Sequence, residues 1–183
     1  MDKHTQRQEI RDRIEKLDSS YCKQADEAIT DFVQNLLEYQ KASCIFCYIS
    51  IGKEVYTHSI IRHAWKSGKR VVVPKCTGKG IMELFEIRSY QDLTPGAYHI
   101  PEPGAHCLPV KSSEIDFAII PCLSCDRTKK RLGHGGGYYD RYLADATFTT
   151  AALCREQLLL DHVCCEPHDV PVDMVITEAK IYC

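Results

Sequence analysis

Residues 131–143 carry the densest set of groups in this chain that could do chemistry. The run is RLGHGGGYYDRYL, with glycine at positions 133, 135, 136 and 137. Glycine adopts positive φ without steric cost and lets the backbone approach a ligand closely, so successive N–H groups can converge on one concavity. Such a nest of N–H groups binds anions. The run therefore predicts an anion site, and a phosphate-bearing ligand is favoured over a neutral one.

Positive charge and the start of a helix flank these glycines. Basic residues lie at 129–131 and at Arg141, and residues 138–143 contain no helix breaker. The N-terminus of a helix there would add a positive dipole end to the same site. The alternative is a glycine-rich surface turn with a solvated basic rim, which is usual for an isolated glycine cluster. The aromatic pair and Asp140 at fixed helical offsets favour the ligand site.

Neither of the standard nucleotide-binding fingerprints is present. The run lacks the Gly-Lys-Ser/Thr ending of a P-loop, and no predicted strand leads directly into a GxGxxG turn. A nucleotide site in this chain would therefore be of another type.

The composition is that of an ordinary soluble protein. The 183 residues are 44% hydrophobic and 26% charged, with a formal net charge of −2 at pH 7. That length suits one domain over residues 1–183 with a substantial core. The charge gives no sign of a nucleic-acid partner, no apolar run approaches transmembrane length, and the first residues lack the apolar stretch of a secretion signal. We expect a cytoplasmic protein without a membrane partner, either a monomer or a weak homo-oligomer.

The chain has eleven cysteines, an odd number that cannot pair fully within one chain. Without a secretion signal we expect reduced thiols, many of them buried. Two C-x-x-C pairs, Cys44 with Cys47 and Cys122 with Cys125, have the spacing of a four-thiolate zinc site. That site is disfavoured, because Cys44 and Cys47 lie in a predicted strand, where positions three apart point to opposite faces.

Helices and strands alternate along the chain, as judged from apolar spacing and strand-length apolar runs. The predicted helices cover residues 5–17, 22–40, 57–67, 138–145 and 156–160. The predicted strands cover residues 44–51, 70–74, 82–87, 115–120, 149–153, 173–177 and 180–182. Thr57 is a candidate N-cap and Gly68 a helix stop. The alternation predicts an α/β fold with a mainly parallel sheet flanked by helices.

Polar groups follow several of the predicted strands. They lie at 52–54, at Pro74 and Lys75, and in the loop 126–137. Segment 93–110, which four prolines interrupt, is predicted to be an irregular loop of a length that is often functional. Because ligands of α/β sheets collect at the carboxyl ends of strands, we expect the first three segments to converge on one ligand site.

These motifs resemble the signature of the 5-formyltetrahydrofolate cyclo-ligase family, also called 5,10-methenyltetrahydrofolate synthetase. The glycine run is preceded by Pro121 and by the pair at 126–127, and further matches follow in order along nearly the whole chain. They are the basic N-terminal helix, Ser50 with Glu54 and Thr57, Pro74-Lys75 with Met82, residues 100–103 and residues 172–175. The resemblance implies a single-domain, three-layer fold like that of NagB, RpiA and CoA-transferases. It also implies ATP- and Mg²⁺-dependent closure of 5-formyltetrahydrofolate to the 5,10-methenyl form, with release of ADP and phosphate.

The resemblance further implies a set of site residues. The catalytic residues would be Arg131, Tyr138 and Asp140. ATP contacts would fall on Lys3, His4, Thr5, Gln6, Arg7, Lys75, Arg131, Leu132, Gly133, His134, Gly135, Gly136, Gly137, Tyr138 and Tyr139. Contacts to the reduced folate would fall on Ile49, Glu54, His134, Gly135, Gly136, Gly137 and Tyr138. Magnesium would be held by Asp140 and Asp173, which suits an ion that binds one or two carboxylates together with phosphate oxygens.

The chain departs from the family pattern beside the nucleotide loop. Many relatives carry arginine in place of His134, and relatives usually carry glycine in place of Cys122 and an aromatic residue in place of Cys125. Two alternatives stay open. A sugar-phosphate isomerase or CoA-transferase relative would use the phosphate nest without ATP hydrolysis. A non-catalytic phosphate-binding or zinc-stabilised module would draw on the C-x-x-C pairs.

Overall fold

The computed structural model describes residues 2–96 and 100–183. The α-helices in these ranges are α1 (Lys3–Lys16), α2 (Ser19–Asn35), α3 (Leu37–Lys41), α4 (His58–Lys66) and α5 (Tyr138–Leu143). The strands are β1 (Cys44–Cys47), β2 (Arg70–Gly78), β3 (Ile81–Ile87), β4 (Leu93–Pro95), β5 (Pro101–Pro103), β6 (Phe117–Ile120), β7 (Ser124–Cys125), β8 (Arg131–Leu132), β9 (Thr149–Leu153), β10 (Met174–Ile176) and β11 (Ile181–Tyr182). Within the same ranges, no helix combines the length and apolar character needed to span a membrane.

The main sheet has seven strands in the order β11-β10-β9-β6-β1-β2-β3. Neighbouring strands from β10 to β2 run parallel, and β3 and β11 close the two edges antiparallel to their neighbours. The carboxyl ends of the five parallel strands therefore meet at one edge of the sheet, as the prediction of a mainly parallel sheet requires.

Helices cover both faces of this sheet. On one face, Ile29 of α2 and Ile60 of α4 pack in the same apolar cluster as Ile45 and Cys47 of β1. On the other face, Leu143 of α5 packs with Cys44 and Phe46 of β1. The predicted three-layer α/β architecture is thus confirmed. Cys44 and Cys47 point to opposite faces, so this pair does not chelate one metal ion.

One predicted helix, residues 22–40, is two helices. Leu36, with φ −65° and ψ 134°, interrupts the helical backbone between α2 and α3. The change of direction lets Tyr39 become fully buried, while Leu36 packs against the same cluster. The sequence around the break contains no glycine or proline that would interrupt a helix. Tertiary packing, rather than local propensity, therefore explains the break.

The segment after β1 is buried but is not strand, although we predicted strand to residue 51. The Thr57 hydroxyl donates to the Tyr48 carbonyl at 2.8 Å and accepts from the Ser50 N–H at 3.1 Å. Thr57 is the N-cap residue of α4, as predicted, but its side chain makes no capping hydrogen bond to the helix. The hydroxyl instead holds residues 48–50 in place.

Two hairpins were missed. The described part of segment 93–110 contains the paired strands β4 and β5, although proline is unfavourable in central strands. Residues 97–99 lie outside the described ranges. Strands β7 and β8 pair antiparallel, with Cys125 opposite Arg131, and carry the chain into the glycine run.

Candidate functional site

A cavity of about 720 Å³ opens at the carboxyl edge of the main sheet. Its walls include residues that end or follow four parallel strands: Tyr48 and Ile49 after β1, Pro74 and Cys76 in β2, Pro121 and Cys122 after β6, and Leu153 to Arg155 at β9. The glycine run and one side of α1 complete the lining. The structure thus brings together the segments that the sequence placed at strand ends.

Arg131 and Asp140 form a buried ion pair in the cavity wall. The Arg131 Nη2 donates to Asp140 Oδ1 at 2.8 Å, and Nη1 donates to the Pro121 carbonyl at 3.3 Å. Only 3% of the Arg131 side chain is exposed. Its buried Nε finds no hydrogen-bond partner within the described ranges. A buried unpaired donor costs free energy, so this guanidinium is held with hydrogen-bonding capacity unused.

The glycine run bends over this pair. Gly135 has φ 104° and Gly137 has φ 66°, conformations that a side chain would strain. No hydrogen bond from the N–H groups of Gly135, Gly136 or Gly137 reaches another described residue. Arg141 donates to the Gly136 carbonyl at 2.6 Å and to Gly80 at 2.8 Å, which fixes the outer side of the loop. The loop is therefore anchored through its carbonyls, while its N–H groups stay available to an anion.

Helix α1 lies against the glycine run. The Arg7 Nε donates to the Gly133 carbonyl at 2.8 Å, and both Arg7 and Lys3 line the cavity. Gln6 is buried and holds segment 162–164, donating to the His162 carbonyl at 2.7 Å and accepting from the Cys164 N–H at 2.9 Å. The basic helix α1 therefore contacts the glycine run, as expected. Gln6 supports α1 through its hydrogen bonds to segment 162–164.

Lys3 is paired with acidic side chains at the cavity edge. Its Nζ lies 2.6 Å from Asp169 and 3.2 Å from Glu166. Partial burial disfavours the charge on Lys3, but the hydrogen bonds to Asp169 and Glu166 outweigh it and raise its pKa. Glu166, His168 and Asp169 are near enough to one another to bind a metal ion. The Lys3 ammonium already forms ion pairs with two of these groups, Glu166 and Asp169.

The wall opposite the glycine run is built from residues 49–54. Ile49 is 4% exposed, and Glu54 accepts from the Ile51 N–H through Oε2 at 2.8 Å. The other Glu54 oxygen, Oε1, lies 3.6 Å from Nε2 of His134 in the glycine run. The predicted folate contacts Ile49, Glu54 and His134 therefore face one cavity, and Glu54 keeps an acceptor directed across it.

A second buried arginine fixes this wall. Arg155 donates to both carboxylate oxygens of Asp26 in α2 at 2.8 and 2.9 Å. It also donates to the Lys53 carbonyl at 2.8 Å and the Glu54 carbonyl at 3.1 Å. Burial disfavours the Arg155 charge, but Asp26 outweighs this effect and raises the arginine pKa. Arg155 thus ties the backbone at Glu54 to the core.

The two tyrosines after the glycines differ in their surroundings. Tyr139 packs parallel to Phe46, with 6.0 Å between ring centroids, and burial raises its pKa. The guanidinium carbon of Arg131 lies 5.8 Å from the centroid of the same ring. Tyr138 is half-buried, lines the cavity and forms a hydrogen bond with the Cys76 thiol. Tyr138 is therefore nearer to ligand, and Tyr139 supports Arg131 from the core.

Several predicted site residues lie elsewhere. Lys75 donates to the Pro103 carbonyl at 2.8 Å and is not part of the cavity lining. His4 and Thr5 are exposed on α1 and do not line the cavity either. Asp173 accepts from the N–H and hydroxyl of Thr150, each at 2.8 Å, and lines a separate cavity of about 280 Å³. The structure therefore does not bring Asp173 into the cavity that Asp140 lines.

Sequence analysis missed Arg155, Asp26 and Asp169. Arg155 directly follows a predicted strand that ends at 153, so the rule that drew attention to 52–54 also applied to it. Asp26 and Asp169 could not be recognised from neighbouring residues, because each forms an ion pair with a residue far away in the sequence. Asp26 pairs with Arg155, and Asp169 pairs with Lys3.

The fold and cavity define an α/β protein with a glycine-rich anion loop at the carboxyl edge of its sheet. The sequence model of the 5-formyltetrahydrofolate cyclo-ligase family matches residues 1–178, and the chain belongs to this family. It is 29% identical to a protein of Schizosaccharomyces pombe named probable 5-formyltetrahydrofolate cyclo-ligase, over 92% of this chain and 87% of that one. It is 31% identical to the Mycolicibacterium smegmatis 5-formyltetrahydrofolate cyclo-ligase, over 84% of this chain and 82% of that one.

A solved structure supports the same assignment. The NMR structure of Aquifex aeolicus 5,10-methenyltetrahydrofolate synthetase superposes with a TM-score of 0.86 at 26% sequence identity. The match covers 99% of this chain and 92% of that one. The resemblance inferred from the motifs is confirmed at the level of family and fold.

Proposed function

We propose that this protein closes 5-formyltetrahydrofolate to 5,10-methenyltetrahydrofolate in the cytoplasm, consuming ATP and releasing ADP and phosphate. One observation carries the proposal. In a chain of this family, a single cavity is lined by the glycine loop, the Arg131–Asp140 pair and the Ile49–Glu54 wall. Such a cavity offers an anion-binding side and an apolar side with one directed carboxylate, which suits a nucleotide and a folate bound together.

The reaction needs activation because a formamide carbon is a poor electrophile. The formyl oxygen of the folate attacks the γ-phosphorus of ATP, a P–O bond forms, and the bond to the ADP oxygen breaks. The amine at position 10 then attacks the activated carbon. A C–N bond forms, the amine proton is lost and phosphate leaves with the former formyl oxygen. In such phosphoryl transfer the protein acts mainly by positioning and by stabilising charge.

The glycine loop and α1 form the proposed nucleotide side. No hydrogen bond within the described ranges uses the N–H groups of Gly135, Gly136 and Gly137, so these groups can donate to phosphate oxygens without moving first. Arg7 adds positive charge from α1, whereas the charge of Lys3, also proposed to contact ATP, is already paired with Asp169 and Glu166. Arg131 lines the cavity beside the loop, and its guanidinium stabilises charge on the transferring group.

The wall at Ile49 and Glu54 forms the proposed folate side. Ile49 offers an apolar surface to the ring system. Glu54 Oε1 accepts a charge-assisted hydrogen bond from the donor edge of the pterin, because Oε2 is already fixed by the Ile51 N–H. Tyr138 also lines this cavity, and its proposed role is to orient the formyl group.

Asp140 is the residue best suited to hold magnesium. Of the two aspartates that the resemblance assigns to the ion, Asp140 lines the large cavity and Asp173 does not. Among the described residues, the hydrogen bonds to Asp140 fall on Oδ1 alone. Mg²⁺ prefers one or two carboxylates together with phosphate oxygens and water, so the free Oδ2 fits it. When bound, the ion neutralises phosphate charge. The role of Asp173 stays a prediction.

The test is a rise in methenyltetrahydrofolate absorbance when the purified protein meets 5-formyltetrahydrofolate, ATP and Mg²⁺, with ADP measured in parallel. We expect equal amounts of ADP and product and no rise without ATP. A folded protein that makes neither product contradicts the proposal. Product formation without ADP would favour a phosphate-binding enzyme that does not hydrolyse ATP.

A further inference from the structure

Two cysteines lie side by side in the floor of the cavity. Strands β6 and β9 are parallel neighbours with Ile120 opposite Ala152, and Cys122 and Cys154 each follow two residues later. Both line the cavity, and the Cys122 Sγ lies 3.2 Å from the Leu153 carbonyl oxygen. Neighbouring parallel strands are about 4.8 Å apart, within the Cα separation that a disulfide requires.

A third thiol completes the group. Cys125 is fully buried on β7, opposite Arg131 on β8. Its side chain and that of Cys154 both interact with the Cys122 thiol. These interactions, with the nearby charges of Arg131 and His134, lower the pKa of Cys122, although desolvation opposes the shift. Cys122 is also the half-buried member of the group, whereas Cys125 and Cys154 are buried, so peroxide reaches its sulfur first. The thiolate is the reactive form.

We propose that Cys122 and Cys154 form a peroxide-sensitive modification site in the cavity floor, in which Cys122 is oxidised first and Cys154 resolves it into a disulfide. Cys154 is the partner because it shares the cavity lining with Cys122, whereas Cys125 has no exposed surface. The site goes beyond ring closure, and it gives the enzyme a reversible response to peroxide.

The chemistry is balanced by one peroxide molecule. The Cys122 thiolate attacks one peroxide oxygen, the O–O bond breaks, and hydroxide leaves as water after taking a proton. The sulfenic acid formed at Cys122 is then attacked by the Cys154 sulfur. An S–S bond forms, the S–O bond breaks, and the thiol proton leaves with the hydroxyl as a second water. The two thiols are oxidised by two electrons and hydrogen peroxide is reduced to two waters.

The disulfide would form next to residues that hold Arg131 and the wall of residues 49–54 in place. Pro121, next to Cys122, supplies the carbonyl that accepts from Arg131 Nη1, and Arg155, next to Cys154, holds the wall at Glu54. Drawing the two sulfurs to bonding distance moves both neighbours. We expect oxidation to lower turnover at least tenfold and a dithiol reductant to restore it.

The first test is chemical and does not depend on the enzyme's substrate. Native protein is treated with hydrogen peroxide, its remaining thiols are blocked, and its peptides are analysed by mass spectrometry without reduction. We expect a Cys122–Cys154 cross-link that a dithiol abolishes. In the same sample Cys44 serves as an internal control, because burial raises its pKa to about 11 and it should stay reduced until denaturation.

Two variants assign the roles. In Cys154→Ala, we expect a sulfenic acid at Cys122 that a dimedone probe traps and no cross-link to Cys154. In Cys183→Ser, which removes an exposed thiol outside the group, the cross-link should form as in the wild type. The proposal is overturned if peroxide leaves Cys122 reduced in the folded wild-type protein, or if its cross-link joins another cysteine.

Discussion

The two walls of the cavity are each anchored by a buried arginine, and the two arginines are satisfied to different degrees. Arg155 makes four hydrogen bonds, two to Asp26 and two to backbone carbonyls. Arg131 makes one to Asp140 and one to Pro121, and its Nε has no partner in the part of the chain described. In both cases 3% of the side chain is exposed.

This difference separates a structural anchor from a functional group. Each of the three guanidinium nitrogens of Arg155 donates at least one hydrogen bond, and these bonds fix the backbone at Lys53 and Glu54. In Arg131, by contrast, Nε has no partner among the described residues. A buried donor without a partner costs stability, and such a cost is typical of sites that stabilise charge during a reaction. We therefore expect stability to depend most on Arg155, and turnover on Arg131 and its partner.

The largest loss of stability should follow removal of Arg155. Arg155→Met leaves Asp26 buried without its partner, and breaking a buried pair in this way costs about 3–5 kcal/mol. Urea denaturation monitored by circular dichroism measures the change. The double variant Asp26→Leu with Arg155→Met is the control, because it removes both charges and should recover part of the loss. If Arg155→Met lowered the unfolding free energy by less than about 1 kcal/mol, as for a surface pair, Arg155 would not be the structural anchor that distinguishes its wall from that of Arg131.

Asp140→Asn should affect turnover more than stability. The amide can still accept from Arg131, but the negative charge beside that guanidinium and the proposed magnesium ligand are both lost. We expect kcat to fall about 100-fold, with the unfolding free energy changed by no more than about 2 kcal/mol. Asp173→Asn is the matched variant, since that carboxylate lines the other cavity. Equal losses of kcat in both would show that the two aspartates act together.

Glycines in each wall should separate the two substrates. Gly135, in the wall formed by the glycine run, has φ 104°, and Gly52, in the wall of residues 49–54, has φ 56°. Alanine at either position therefore adds strain of about 1–3 kcal/mol. We expect Gly135→Ala to raise KM for ATP several-fold and Gly52→Ala to raise KM for the folate. Gly68→Ala, at φ 72° after α4, should pay similar strain with both KM values unchanged. If Gly135→Ala instead raised KM for the folate and Gly52→Ala raised KM for ATP, the glycine run would be the folate side and residues 49–54 the nucleotide side.

The smallest predicted effect is that of Lys75, which a comparison with Arg7 makes measurable. Arg7→Ala removes a charge from the cavity and a bond to the Gly133 carbonyl, so KM for ATP should rise about tenfold. Lys75→Ala should change it less than twofold if the bond to the Pro103 carbonyl persists on binding. Equal effects would mean that Lys75 turns towards the nucleotide, as the family resemblance predicts.

Much of the parallel sheet could be predicted because buried strands leave a local apolar signal. The runs that became β1, β2, β6 and β9 are buried on both faces and were recognised on that basis. The glycine run could also be recognised from the sequence, because its positive-φ backbone favours residues without a side chain. The break at Leu36 and the hydroxyl of Thr57 could not, because each depends on a contact with a residue elsewhere in the fold.

The site was predictable wherever one short motif carried it. Residues 131–140 were found together, whereas the partners Asp26 and Asp169 became visible only once the chain was folded. Residues of one motif can also have different surroundings: Arg7 lines the cavity, whereas Gln6 holds segment 162–164, and its predicted ATP contact stays a prediction. A pattern along the chain does not state which side of a helix meets the cavity.

The most direct test of the central claim is steady-state kinetics of Arg131→Lys beside Arg155→Lys in the ATP-dependent ring-closure assay. Lysine keeps the charge but lacks the planar set of donors. We predict that Arg131→Lys lowers kcat by about 100-fold in a protein that still folds, whereas Arg155→Lys mainly raises KM for the folate. If Arg131→Lys retains wild-type kcat, the incompletely paired arginine does not act in the reaction.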